Sequence, residues 1–203
     1  MAWRVNRRLA RAWLRLTRTP MSVHGMDRLP AGPCVMVCNH GSYIDGMLLI
    51  AALPRPFAFV AKGELRRSFA LRTFLERLGT EFVDRFSAEH GVADAAHLAL
   101  QVSRGRSLLF FPEGTFTATP GLLPLHVGAF LTAVRGQVPV VPMVLHGNRE
   151  MLPVGSWWPR RARIDLDIGA PLRADDTSGE TFAAAISLRE AAQQFIARRI
   201  DVR

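Results

Sequence analysis

Two stretches of the 203-residue chain bring together side chains able to move a proton: Asn39-His40-Gly41-Ser42-Tyr43-Ile44-Asp45 and Phe111-Pro112-Glu113-Gly114-Thr115. Each sits where an apolar run ends. A histidine followed five residues on by an aspartate, just after the run Val35 to Cys38, can fold into an imidazole oriented by a carboxylate. With one ring nitrogen donating to Asp45, the other can take a proton from a hydroxyl, which is general-base chemistry. The same residues also fit a local role. Ser42 as N-cap and Asp45 at N3 make a capping box for a helix that stops before Pro54. Gly41 can bend the backbone so that one aspartate does both.

A covalent enzyme needs its own nucleophile, and here the choice is poor. There is no Gly-x-Ser-x-Gly elbow, Cys34 and Cys38 lie within an apolar run, and Ser42 occupies the capping position. The acceptor's own hydroxyl is the better nucleophile: His40 removes its proton, and nearby backbone N–H groups stabilise the developing oxyanion. No metal is called for, since the two cysteines stand apart from histidine and acidic partners. In the second stretch, Pro112 and Gly114 shape a tight turn that leaves Glu113 at the mouth of a crevice, where its carboxylate can orient an acceptor hydroxyl. An ordinary strand-end loop with an exposed glutamate accounts for the same residues.

These stretches must be positioned by a scaffold. Short apolar runs alternate with helix-like segments, the pattern of an α/β fold with a mostly parallel or mixed central sheet flanked by helices. Strands are predicted at Cys34–Cys38, Phe57–Ala61, Ser107–Phe111, Val138–Leu145 and Arg163–Ile168, and helices at Tyr43–Ala52, Leu71–Leu78, Ala88–Ser103, Leu125–Val134 and Thr181–Ile200. If the first and third strands are neighbours, the loops after their carboxyl ends share one crevice, and His40 meets Glu113.

The net charge of +9 is concentrated at the start, where six arginines precede Asp27, the first acidic residue. Arg4, Arg8, Arg11, Arg15 and Arg18 recur at helical spacing, and Val5, Leu9, Ala12 and Leu16 recur on another face with Trp13 beside them. Residues 1–20 are therefore expected to form a basic amphipathic helix that lies on a membrane with anionic lipid, and residues 21–203 a single domain. A solvated arginine face on a docked helix is the alternative. No apolar stretch reaches the roughly 20 residues that a spanning helix requires, and arginines interrupt any signal-peptide core. Nucleic acid is not an expected partner: removing the six N-terminal arginines from +9 leaves only +3, and no nucleic-acid-binding motif is present. Two apolar, unpaired cysteines suit a reducing, cytosol-facing compartment.

In their order, His-x4-Asp followed by Phe-Pro-Glu-Gly-Thr resembles the glycerolipid acyltransferase family, of the lysophosphatidic acid acyltransferase type, with similarity running from about Val23 to Ala170. The resemblance implies a peripheral or monotopic enzyme on the cytoplasmic face of a membrane, as in the bacterial inner membrane. It would move a fatty acyl chain from acyl-CoA or acyl-carrier protein, without a cofactor, to a lysophospholipid hydroxyl, most simply that of 1-acylglycerol-3-phosphate. His40 and Asp45 become the catalytic pair, with Glu113, Gly114 and Thr115 in the acceptor site. Gly79-Thr80-Glu81-Phe82-Val83-Asp84-Arg85 resembles the block whose Phe and Arg bind acceptor phosphate, here Phe82 and Arg85. Val60-Ala61-Lys62-Gly63-Glu64-Leu65 is similar to a Lys-x-Glu-Leu stretch. Lys62, the only lysine beside 25 arginines, joins the site residues on that ground. Val138-Pro139-Val140-Val141-Pro142 is similar to an apolar block that lines the acyl region. Two departures stand out: Phe116 where the family often has arginine, and His126 where it often has lysine. They leave open a non-phosphate acceptor such as a lyso-aminolipid, and a thioesterase, with water in place of the lipid hydroxyl, is a further alternative.

Overall fold

A computed structural model describes residues 2–67, 72, 73, 76, 79–83, 88–119, 121–174 and 180–200. These residues form a mixed seven-stranded sheet with helices on both faces. The strands are β1 (Met21–His24), β2 (Val35–Cys38), β3 (Ala58–Lys62), β4 (Glu81–Val83), β5 (Leu108–Phe110), β6 (Val140–His146) and β7 (Ile164–Ile168). Across the sheet they run β1-β7-β6-β2-β5-β3-β4. β2 to β6 are mutually parallel, β7 runs antiparallel to β6, and β1 runs parallel to β7.

The helices are α1 (Ala2–Leu16), α2 (Asp45–Ala52), α3 (Ala88–Ser103), α4 (Gly128–Arg135), the single turn α5 (Asn148–Met151) and α6 (Thr181–Ile200). β2 shows why the sheet is covered on both sides. Its alternate residues Met36 and Cys38 join the cluster formed with Leu14 of α1 and Leu48 and Leu49 of α2, while Val35 and Val37 join Val102 of α3, Phe130 of α4 and Leu188 of α6. All four are buried, as the unbroken apolar run requires of a central parallel strand.

The five predicted strands are present to within two residues at each end, and α3 and α6 have the predicted bounds. The predicted helix Leu71–Leu78 lies mostly outside the described residues. Two strands have no counterpart in the sequence reading, and they are the outermost pair, β1 and β4. Each is three or four residues long and half-buried, too short for alternation to stand out.

Candidate active site

β2 lies between β5 and β6, so the loops leaving the carboxyl ends of all three open on one rim. The loop after β2 is fixed at its first residue. The Asn39 side chain donates from Nδ2 to the Leu145 carbonyl (3.0 Å) and accepts the Leu145 N–H on Oδ1 (2.7 Å), tying the loop to β6. His40 follows, with Nδ1 2.8 Å from Oδ2 of Asp45, the first residue of α2. Asp45 is wholly buried. Its Oδ2 also accepts the N–H groups of Gly41 (2.8 Å) and Ser42 (3.0 Å), and its Oδ1 accepts Nδ2 of Asn148 from α5 (2.7 Å). An acceptor at Nδ1 makes that nitrogen the protonated one and leaves Nε2 as the basic position.

Two details differ from the sequence reading. Ser42 is not the N-cap: that position belongs to Ile44, without a side-chain cap, and the Ser42 hydroxyl donates instead to the Leu152 carbonyl at 2.8 Å. Asp45 still accepts the Ser42 N–H, so one half of the capping box exists within the same carboxylate that meets His40. Gly41 is needed for room rather than for a bend. A Cβ there would stand 2.8 Å from Asn148 Nδ2 and 2.9 Å from Arg149 Cγ, inside ordinary contact distance.

Aromatic rings bound the imidazole. Phe111 stacks on it with centroids 4.2 Å apart and planes 15° off parallel, and Phe116 meets it edge-on at 4.4 Å. Phe116 in turn touches Tyr43 at 4.9 Å, whose side chain faces solvent. The residue that departs from the resembled pattern is thus a wall of the histidine's pocket. The His40 side chain remains 20% exposed, enough for a reactant to reach one edge.

Glu113 comes from the loop after β5 and meets the histidine loop directly. Its Oε1 accepts the His40 N–H at 2.7 Å and its Oε2 accepts the Leu123 N–H at 2.8 Å. It is only 4% exposed, so it lies beneath the rim and not at the crevice mouth, where the sequence reading placed it. Beneath the rim its two oxygens accept N–H groups from two separate segments, the pairing that a buried carboxylate requires. Burial raises its carboxyl above the ordinary value, against the opposing pull of the His40 and Leu123 N–H groups and of the His40 and Arg149 charges. Gly114 makes the turn possible: its φ of 72° is left-handed, and its N–H closes on the Phe111 carbonyl at 3.0 Å. Thr115 is exposed on the same rim.

Of the other sequence candidates, Lys62 ends β3 half-buried on this rim, and Phe82 sits half-buried in β4 beyond it. Arg85 lies outside the described residues. His126 donates its N–H to the Pro112 carbonyl at 2.9 Å, beside the Glu113 turn. Sequence reasoning missed Asn39, Asn148 and Arg149. The last donates from one guanidinium nitrogen to the carbonyls of Thr117 (2.6 Å) and Thr119 (3.3 Å), joining α5 to the Phe116 loop. A signal for Asn148 was available: Gly147-Asn148 follows an apolar strand much as Asn39-His40 does.

A family model described as Acyltransferase matches residues 20–146. A putative 1-acyl-sn-glycerol-3-phosphate acyltransferase, acl-2, from Caenorhabditis elegans is 31% identical over 142 residues, which is 68% of this chain and 50% of the relative. A lyso-ornithine lipid O-acyltransferase from Pseudomonas aeruginosa is 34% identical over 151 residues, 73% of this chain and 57% of the relative. The chain thus spans about half the length of these curated relatives. In structure it is similar to a 1-acyl-sn-glycerophosphate (LPA) acyltransferase, PlsC, from Thermotoga maritima, with a TM-score of 0.79 at 21% identity, covering 98% of this chain and 78% of the other.

Proposed function

Because this chain belongs to the acyltransferase family, we propose that it transfers a fatty acyl group from an acyl-CoA or acyl-carrier-protein thioester to a lysophospholipid hydroxyl, 1-acylglycerol-3-phosphate being the leading acceptor. The observation that carries this reading is the His40–Asp45 pair, in which a buried carboxylate holds Nδ1 at 2.8 Å. Nε2 takes the proton as the acceptor oxygen attacks the thioester carbonyl. The carbon–sulfur bond breaks as the tetrahedral intermediate collapses, and the imidazolium returns the proton to the departing thiolate. Asp45 stabilises the imidazolium between these steps.

The backbone donors nearest His40 are already engaged: its own N–H goes to Glu113, and those of Gly41 and Ser42 go to Asp45. Among the described residues, the N–H groups of Thr115 and Phe116 meet no acceptor, so this loop is the better source of oxyanion donors. Glu113 serves the acceptor site by holding the His40 loop and the Leu123 segment together, with Gly114 closing the turn. Lys62, Phe82 and Arg85 are the candidates for contacts to the acceptor headgroup.

The second reading, a lyso-aminolipid acceptor, is favoured by Phe116. An aromatic ring against His40 puts no positive charge where a phosphate would need one. The named activity of the Pseudomonas aeruginosa relative supports keeping it.

Among the described residues no helix is long and apolar enough to cross a membrane. α1 instead carries three faces. Ala10 and Leu14 are buried on the core, Arg4, Arg8, Arg11 and Arg15 are exposed on a second face, and Val5, Leu9 and Leu16 are exposed on a third. That exposed stripe beside guanidinium groups supports peripheral binding to anionic lipid; the surface proposed for it is the cytoplasmic face of a bacterial inner membrane.

The test is transfer of labelled acyl groups from both donors to a panel of lysolipids, with His40→Ala as the control. Loss of transfer by a folded variant is expected, and full activity in it would eliminate the proposed base. Hydrolysis of the thioester at a rate no lysolipid alters would make the protein a thioesterase instead.

A further inference from the structure

Two indoles stand in water at the site's own rim. Trp157 and Trp158 are 91% and 84% exposed, in the 152–163 loop between α5 and β7. The loop is held in shape: the Arg160 N–H donates to the Met151 carbonyl at 2.6 Å, the Ser156 N–H donates to the Pro153 carbonyl at 3.0 Å, and the Ser156 hydroxyl bonds to the Trp158 carbonyl at 3.2 Å. The rings are therefore presented by an ordered turn. Arg160 and Arg161 follow them, both exposed.

Topology fixes where this loop lies. β7 runs antiparallel to β6, so it starts at the rim where β6 ends, which is also where β2 delivers His40. The Ser42 hydroxyl on the Leu152 carbonyl joins the loop to the site. β1 runs parallel to β7, and the Ile164 N–H donates to the Pro20 carbonyl, so the carboxyl end of α1 with exposed Leu16 reaches the same rim. Tyr43, 75% exposed, stands there too.

We propose that the 152–163 loop is a second membrane-contacting element, its paired indoles entering the headgroup layer of an anionic bilayer so that the His40 cleft faces the surface. Indole suits that layer because an apolar ring and a polar N–H are satisfied at different depths, and the adjacent guanidinium groups meet lipid phosphates. The inference rests on the reading of this chain as an acyltransferase working on lipid. It goes beyond the anchoring assigned to α1, because it brings the cleft, and not only the helix, to the surface.

The test compares Trp157→Ala/Trp158→Ala with Leu9→Glu/Leu16→Glu in partition onto phosphatidylglycerol–phosphatidylethanolamine vesicles. Loss of the two rings is expected to weaken partition about tenfold or more, with the melting temperature unchanged. Transfer to a short-chain lysolipid held below its micelle concentration should also be unchanged. Brominated acyl chains should quench the fluorescence of the wild type much more than that of Trp157→Phe/Trp158→Phe. Undiminished partition of the alanine variant, or equal quenching of the two proteins, overturns the proposal. So does a defect confined to acyl-carrier-protein donors, which would make the loop a docking site for the carrier. A wild type that transfers acyl groups but ignores vesicles refutes the membrane contact and leaves the transfer reading standing. Ring-dependent vesicle binding without turnover of any thioester supports the loop and defeats the acyltransferase reading.

Discussion

Replacing Asp45 by asparagine separates the carboxylate's electrostatic role from its place in the fold. The side chain keeps its shape, but Oδ2 now takes the Nδ1–H of His40 and the N–H groups of Gly41 and Ser42 as a neutral acceptor. Bonds to a charged acceptor contribute about 1.5–3 kcal/mol each and neutral ones about 0.5–1.5. Three weakened bonds therefore amount to roughly 3 kcal/mol, and a fourth must rearrange where the new amide meets Asn148 Nδ2. Relief from burying a charge offsets part of this. A net loss of about 1–3 kcal/mol follows, or roughly 2–10 °C in melting temperature for a chain of this size. Catalysis should suffer more, because the imidazolium formed during the reaction loses its counter-charge: about 10²- to 10⁴-fold in kcat, as when the aspartate of a serine-protease triad is so changed. The assay is release of free thiol from acyl-CoA in the presence of a responsive lysolipid, alongside thermal melts. His40→Ala and the double variant complete the set. Residues acting as one unit are non-additive, so the double variant should be no slower than His40→Ala. A folded Asp45→Asn enzyme within about threefold of wild type, or a double variant whose losses multiply, would refute the coupling of the pair.

Three further perturbations probe the rest of the site. Glu113 binds its proton more tightly folded than unfolded, so its contribution to stability declines as pH rises from the ordinary glutamate range through its raised value. Wild-type stability measured relative to Glu113→Gln in denaturant titrations should fall across that window and level off above it, and a rising difference would show that the two N–H groups outweigh burial. Gly41→Ala drives a methyl group into Asn148 Nδ2, which cannot retreat without releasing Asp45; a cost of about 1–3 kcal/mol and a slower thioester assay are expected, and a variant as stable and active as wild type would contradict it. Phe116→Leu removes edge contacts to His40 and Tyr43 of about 0.5–1.5 kcal/mol each, so kcat should drop severalfold and the melting temperature should fall by several degrees; an unchanged kcat would mean that the ring does not restrain the imidazole.

The layered architecture and the pairing of motifs were legible in the order of residues along the chain. Short unbroken apolar runs such as Val35–Cys38, bounded by turn residues, fit strands covered on both faces, with the two polar stretches in the loops that follow them. The family was legible in His40, Asp45 and the Phe-Pro-Glu-Gly-Thr turn, because their order and spacing are local properties of the chain. Charge and periodicity likewise announced α1. Which groups meet across sequence distance depends on how the strands pack. Asn148 stands 103 residues from Asp45 yet supplies its fourth hydrogen bond, and Glu113 stands 73 residues from His40 yet accepts its N–H. Sheet order produces both contacts by placing β5 and β6 on either side of β2, and no one-dimensional pattern records which strands are neighbours. The same reason explains Glu113's burial and the exposure of Trp157 and Trp158. Side-chain polarity gives each residue a preference, but the packing of distant segments decides whether that preference can be met.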